Sequence, residues 1–90
     1  MTHEYIIELL EQRGENPVLL NDCVLNITKD RSIIYSLWGD TDYKQRELEI
    51  CYADNHSDVI WKGVVKTKQE LERLLDQSLA RNQNKNEQSR

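Results

Sequence analysis

Ninety residues with a formal net charge of -4, 38% hydrophobic and 31% charged, describe one small domain that buries only about 60–65% of its unfolded surface, which leaves little room for an enclosed substrate cavity. Arg81, Lys85 and Arg90 against Glu87 give the last ten residues a balance of +2 and leave -6 on residues 1–80. Binders of a phosphate backbone present an excess of Lys and Arg, so an acidic globule with a mildly basic polar end is not expected to bind nucleic acid directly.

The chain opens with Tyr5, Ile6, Leu9 and Leu10 at helical spacing, and Glu4, Glu8, Glu11 and Glu15 recur on the other side as one acidic stripe. A helix over residues 4–13 follows, ended by Gly14, which can take the left-handed turn, and by Pro17, which cannot continue it. Four extended runs come next. Residues 18–28 alternate around Cys23, Leu25 and Ile27; Lys29-Asp30-Arg31 turns the chain into residues 33–38; residues 48–52 alternate strictly; and residues 59–65 form the last run. Within that last run Val59, Trp61 and Val65 are assigned to one face and Ile60, Lys62 and Val64 to the other, with Gly63 marking a bulge or a close backbone approach. Thr67-x-x-Glu70 is a capping box ahead of Leu71, Leu74, Leu75 and Leu79, which predicts a helix over residues 68–80. Residues 81–90 contain no apolar side chain and are expected to be a disordered polar tail.

The fold class expected is therefore α+β: an N-terminal helix, a four-stranded antiparallel meander and a C-terminal helix over residues 1–80, then the polar tail 81–90. Two helices on one face of the sheet leave the other face open. Ile34, Cys51, Ile60 and Val64 cannot all join Leu48, Ile50 and Tyr52 on the covered side, so the open face is expected to be partly apolar and to need cover from a second copy, as a homodimer, or from a different protein.

Chemical motifs are scarce. Asp54-x-His56-x-Asp58 superficially resembles the opening of a calcium loop, but Val59 stands where that loop needs glycine and Val65 where it needs glutamate, so a hairpin turn is the reading and no metal is expected. His3, His56, Cys23 and Cys51 show no zinc-ligand spacing. The serines lack a nucleophile elbow, and Gly14, Gly39 and Gly63 are too scattered to cradle a phosphate. Neither a catalytic residue nor a cofactor is assigned. The two cysteines fall in predicted strands and read as small hydrophobes, and the sequons at Asn26 and Asn55 read as chance matches. With no apolar run of spanning length and no basic leader before one, the chain is placed in the cytoplasm and off the membrane.

A binding role is what remains. Trp38 at a strand end, with Asp40, Asp42 and Tyr43 in the following loop, is the expected protein-docking point, and Glu4, Glu8 and Glu11 supply a second partner surface. The function expected is a small non-enzymatic inhibitor, adaptor or regulator of a partner protein, of the kind carried by phages and other mobile elements, a suggestion from size alone. The first alternative is an acidic mimic of nucleic-acid phosphates that blocks a nucleic-acid-binding protein. The second is a small hydrolase or ligand-binding enzyme around His56 and its aspartates.

Overall fold

The structure is a computed structural model that describes residues 1–39 and 46–88, with side chains described through Arg81. Helix α1 (His3–Gln12) starts where the Thr2 hydroxyl accepts the Tyr5 N–H at 3.1 Å. It ends in a reciprocal pair: the Gly14 N–H donates to the Glu11 carbonyl and the Glu15 N–H to the Leu10 carbonyl, both at 3.0 Å. That closure requires the left-handed backbone of Gly14, at φ 77.

Five strands follow, not four: β1 (Pro17–Leu19), β2 (Cys23–Asn26), β3 (Ile33–Trp38), β4 (Glu47–Tyr52) and β5 (Asn55–Val64). They form an antiparallel meander in the order β1-β2-β3-β4-β5. The extra strand arises because residues 18–28 are not one run. Asn21 and Asp22 turn the chain, with the Leu20 N–H donating to the Cys23 carbonyl at 2.8 Å, and short polar side chains of this kind favour turns over strand interiors.

The last hairpin also differs from expectation. Ala53 and Asp54 make the turn, and His56, Ser57 and Asp58 lie in β5 rather than in a loop. A bulge sets Val59 opposite Cys51 while Trp61 stays opposite Ile50, so Val59 and Trp61 do not share a face as the plain alternation predicted. Gly63 answers to a close approach instead of the bulge: a Cβ there would sit 3.0 Å from Trp61 Cη2.

Helix α2 (Lys68–Gln88) begins where the Thr67 hydroxyl accepts the Glu70 N–H at 3.1 Å and the Glu70 carboxylate accepts the Lys66 N–H at 3.3 Å. Beyond Ala80, where a disordered polar tail was expected, the backbone stays helical to Gln88. No Gly or Pro interrupts residues 81–88, and Arg, Gln, Lys and Glu propagate a helix without needing an apolar partner.

Both helices cover one sheet face. Ile6, Leu9 and Leu10 of α1 and Leu71, Leu74 and Leu75 of α2 join Val24, Ile33, Tyr35, Leu37, Leu48, Ile50 and Tyr52 in a single buried cluster. A polar side chain buried beside it is matched. Buried Asn26 accepts the Asn16 N–H at 3.2 Å and donates to the Glu15 carboxylate at 3.0 Å, which ties the α1–β1 connection to the sheet. The two helices are linked at the surface by Arg13, which donates to both carboxylate oxygens of Asp76 at 2.6 and 3.2 Å.

Candidate docking face

Pairing register fixes what the helix-free face presents. Val18 of β1 lies opposite Leu25 of β2, Leu25 opposite Ile34 of β3, Ile34 opposite Cys51 of β4, and Cys51 opposite Val59 of β5. Opposed residues in an antiparallel ladder share a face, so one uncharged apolar row crosses the whole sheet on the side away from the helices. Its outer members are open to water, Val18 at 40% and Val59 at 37% exposure. Cys51 is only 3% exposed, a short side chain set between its cross-strand neighbours.

The next row toward the C-terminal end of β3 is Cys23, Ser36, Glu49 and Lys62, and the one after it sets Trp38 opposite Glu47 and Glu47 opposite Val64. Trp38 is 49% and Val64 43% exposed, while Lys62 Nζ stands 3.8 Å from the Glu47 carboxylate. Arg46 Nη1 donates to the Gly39 carbonyl at 2.7 Å, holding the start of β4 to the residue that follows Trp38. Every charged side chain in these rows therefore lies on one side of the apolar row.

Both cysteines are free. Burial, with a lesser contribution from Asp22 for Cys23 and from Glu49 for Cys51, pushes both thiols above their ordinary range. A thiol held protonated is a weak nucleophile and a weak metal ligand, so these side chains act as apolar surface.

The residues singled out in the sequence do not form one site. Trp38 is on the helix-free face, whereas Asp40, Asp42 and Tyr43 lie outside the described residues. Glu4, Glu8 and Glu11 are exposed on α1, which packs against the opposite face of the sheet. Glu15, the fourth member of the expected stripe, is held by Asn26. Asp54 and Asp58 hold Arg31 at 2.7 and 2.8 Å, and the same guanidinium lies 3.7 Å from the Tyr52 ring centroid. The pair thus clasps the β2–β3 turn to the β4–β5 hairpin, while His56 is exposed beside them.

Among the described residues no group of three or more His, Cys, Asp or Glu is placed to hold a metal ion, and no helix is long and apolar enough to cross a membrane. The apolar row was only partly legible in the sequence. Alternation alone runs Val18 and Leu25 into one strand, and the signal that separates them onto paired strands is the Asn21-Asp22 turn between them. Comparison with family models, curated proteins and solved structures finds no match, which leaves the functional argument to this chain's own residues.

Proposed function

We propose that this chain is a small non-enzymatic binding protein, an inhibitor, adaptor or regulator, that docks a protein partner on its helix-free sheet face with Trp38 as an anchor. The observation that carries the reading is the uncharged row Val18, Leu25, Ile34, Cys51 and Val59. A sheet face left to water normally alternates to polar side chains, and a continuous apolar row rimmed by charge is the pattern of an interaction surface. Trp38 and Val64, about half exposed at the end of the same face, add the kind of aromatic anchor that dominates docking energy.

The test is comparative capture of partners from native extract by the immobilised full chain, the Trp38→Ala variant and the Val18→Glu variant. The reading expects a partner that survives about 0.5 M salt, where exposed charge attraction is largely screened, and that both substitutions release. A partner lost in salt and indifferent to both substitutions would favour the acidic stripe of Glu4, Glu8 and Glu11, and Gln replacements there would then release it.

A further inference from the structure

We infer that the open edge of β1 accepts an extended segment of a partner protein as a sixth strand, and that the segment it takes is apolar at its centre and basic at its ends. The inference does not rest on the reading of the helix-free face.

Hydrogen-bond parity shows which groups the edge offers. The Asn16 carbonyl accepts the Ile27 N–H at 3.2 Å and the Leu20 N–H donates to the Cys23 carbonyl at 2.8 Å, so residues 16, 18 and 20 turn their backbone groups toward β2. The residues between them turn theirs away. Because β1 ends the sheet, the Leu19 N–H and the carbonyls of Leu19 and Pro17 point out of it. Side chains suit an added strand on both faces. Leu19 lies opposite buried Val24 on the helix side and Val18 opposite Leu25 on the other, and Val18, Leu19 and Leu20 are all exposed. Edge strands are commonly blunted by charge or by a bulge. Strand β5 has both, in Lys62 and in the extra residue Ile60, whereas residues 16–21 carry no charge.

Charge selects the occupant. At the start of β1 the Glu15 carboxylate is held by Asn26, the residue opposite Pro17; Lys29 and Asp30, which line the same cleft as Glu15, offset each other. At the far end stands exposed Asp22, and His3 Nε2 lies 3.1 Å from its carbonyl, which brings the first turn of α1 with exposed Glu4 to that end. Carboxylates thus bracket an uncharged slot, the complement of an apolar segment with Lys or Arg at each end. Strand addition gains its main-chain bonds from any extended backbone and its selectivity from such flanking groups. A second copy fits this edge badly. A two-fold at Leu19 would set Asp22 of one copy against Asn16 of the other, beside Glu15, which brings carboxylate to carboxylate at both ends, and β1 is only 3 residues long, too short to bury the area of a stable dimer.

Fluorescence anisotropy tests the inference, with a labelled synthetic peptide, a run of valines between flanking lysines, titrated with the full chain. Saturable binding is expected, at least about tenfold weaker when the valines are N-methylated or when glutamates replace the lysines, and weaker in about 0.3 M than in about 0.05 M salt. Leu19→Pro removes the outward N–H and leaves the ladder to β2 in place, so it is expected to weaken binding at least about tenfold, and Trp38→Ala is expected to leave binding unchanged. Hydrogen exchange reads the same bond in the unaltered chain: the peptide is expected to slow the Leu19 amide and not the Leu20 amide, which Cys23 already holds. Absence of binding, equal binding of the N-methylated or the glutamate peptide, or a Leu19 amide that the peptide does not slow overturns the inference. Binding lost on Trp38→Ala would place the peptide on the helix-free face and overturn it as well. A dimer of the chain alone in sedimentation equilibrium, dissociated by Leu19→Pro, would give the edge to a second copy instead.

Discussion

Tyr35 and Ser78 meet inside the core, with the phenol oxygen 2.8 Å from Ser78 Oγ. Ser78 spends its one hydroxyl proton on the Leu75 carbonyl at 2.7 Å, so the Tyr35 O–H is the donor in the pair. The central strand of the sheet is thereby joined to the middle of α2 by a single oriented contact. Ser78→Ala leaves a buried phenol without an acceptor and is expected to cost about 1–3 kcal/mol, whereas Tyr35→Phe removes the donor and is expected to cost about 1 kcal/mol. Urea unfolding of the two variants measures the order, and a costlier Tyr35→Phe would reverse the assignment of donor.

The same burial sets an alkaline limit. Desolvation holds the Tyr35 phenol above its ordinary range. A folded-state value that is raised contributes stability below the unfolded value, about pH 10, and that stability is lost as pH rises beyond it. Thermal midpoints measured above pH 9 should fall less steeply for Tyr35→Phe than for the unaltered chain. Parallel falls would mean that another group sets the limit.

At the acid end the relevant pair is Arg13 and Asp76. The guanidinium hydrogen bond holds the Asp76 carboxyl below its usual 3.8, so the contact stabilises the fold above that value and is lost as pH falls through the lowered one. Asp76 is 60% exposed, and screening by water keeps the effect small. Asp76→Asn should flatten the loss of stability below about pH 4 without altering the midpoint temperature near neutrality by more than a few degrees. An unchanged acid profile would show that the pair is not formed in solution.

Gly63 packs by absence. Its position opposite Leu48 puts it beneath the Trp61 indole, and a methyl group there meets Trp61 Cη2 at 3.0 Å and Cζ2 at 3.1 Å. Gly63→Ala is therefore expected to displace the ring and to cost about 1–3 kcal/mol. In a Trp38→Phe background, where Trp61 is the sole indole, the displacement should appear as a red shift of emission. Unshifted emission with unaltered stability would contradict the packing.

The parts of this fold that could be read from the sequence are those where one periodicity runs uninterrupted between clear stops. Residues 33–38 were legible as a strand because Lys29-Asp30-Arg31 and Gly39 bracket them, and α2 announced its start through Thr67 and Glu70. What escaped were the places where local pattern and pairing disagree. Val18, Leu19 and Leu20 lead so smoothly into Cys23, Val24 and Leu25 that the Asn21-Asp22 turn was read through. The bulge near Val59 reassigns a face by inserting a single residue, which alternation alone does not register.

The docking face is the least legible part, since two of its five row residues, Val18 and Val59, are placed by that turn and that bulge. Asp54 does lie in the turn that its polar cluster signals and Asp58 lies in β5, but their shared contact with Arg31 is illegible because that partner is remote in sequence. A long-range ion pair leaves no periodic trace. Helix extension past Ala80 is illegible for a different reason, because an apolar stripe is what identifies a helix in sequence and the backbone of α2 continues without one.

Side-chain oxidation footprinting tests the docking face most directly, comparing the dilute purified chain with the chain assembled in native extract. The account predicts that Val18, Leu25, Ile34 and Val59 lose reactivity on assembly, while Tyr5 and Ile7 of α1 keep theirs. Protection confined to α1, or an apolar row equally reactive in both states, would contradict it.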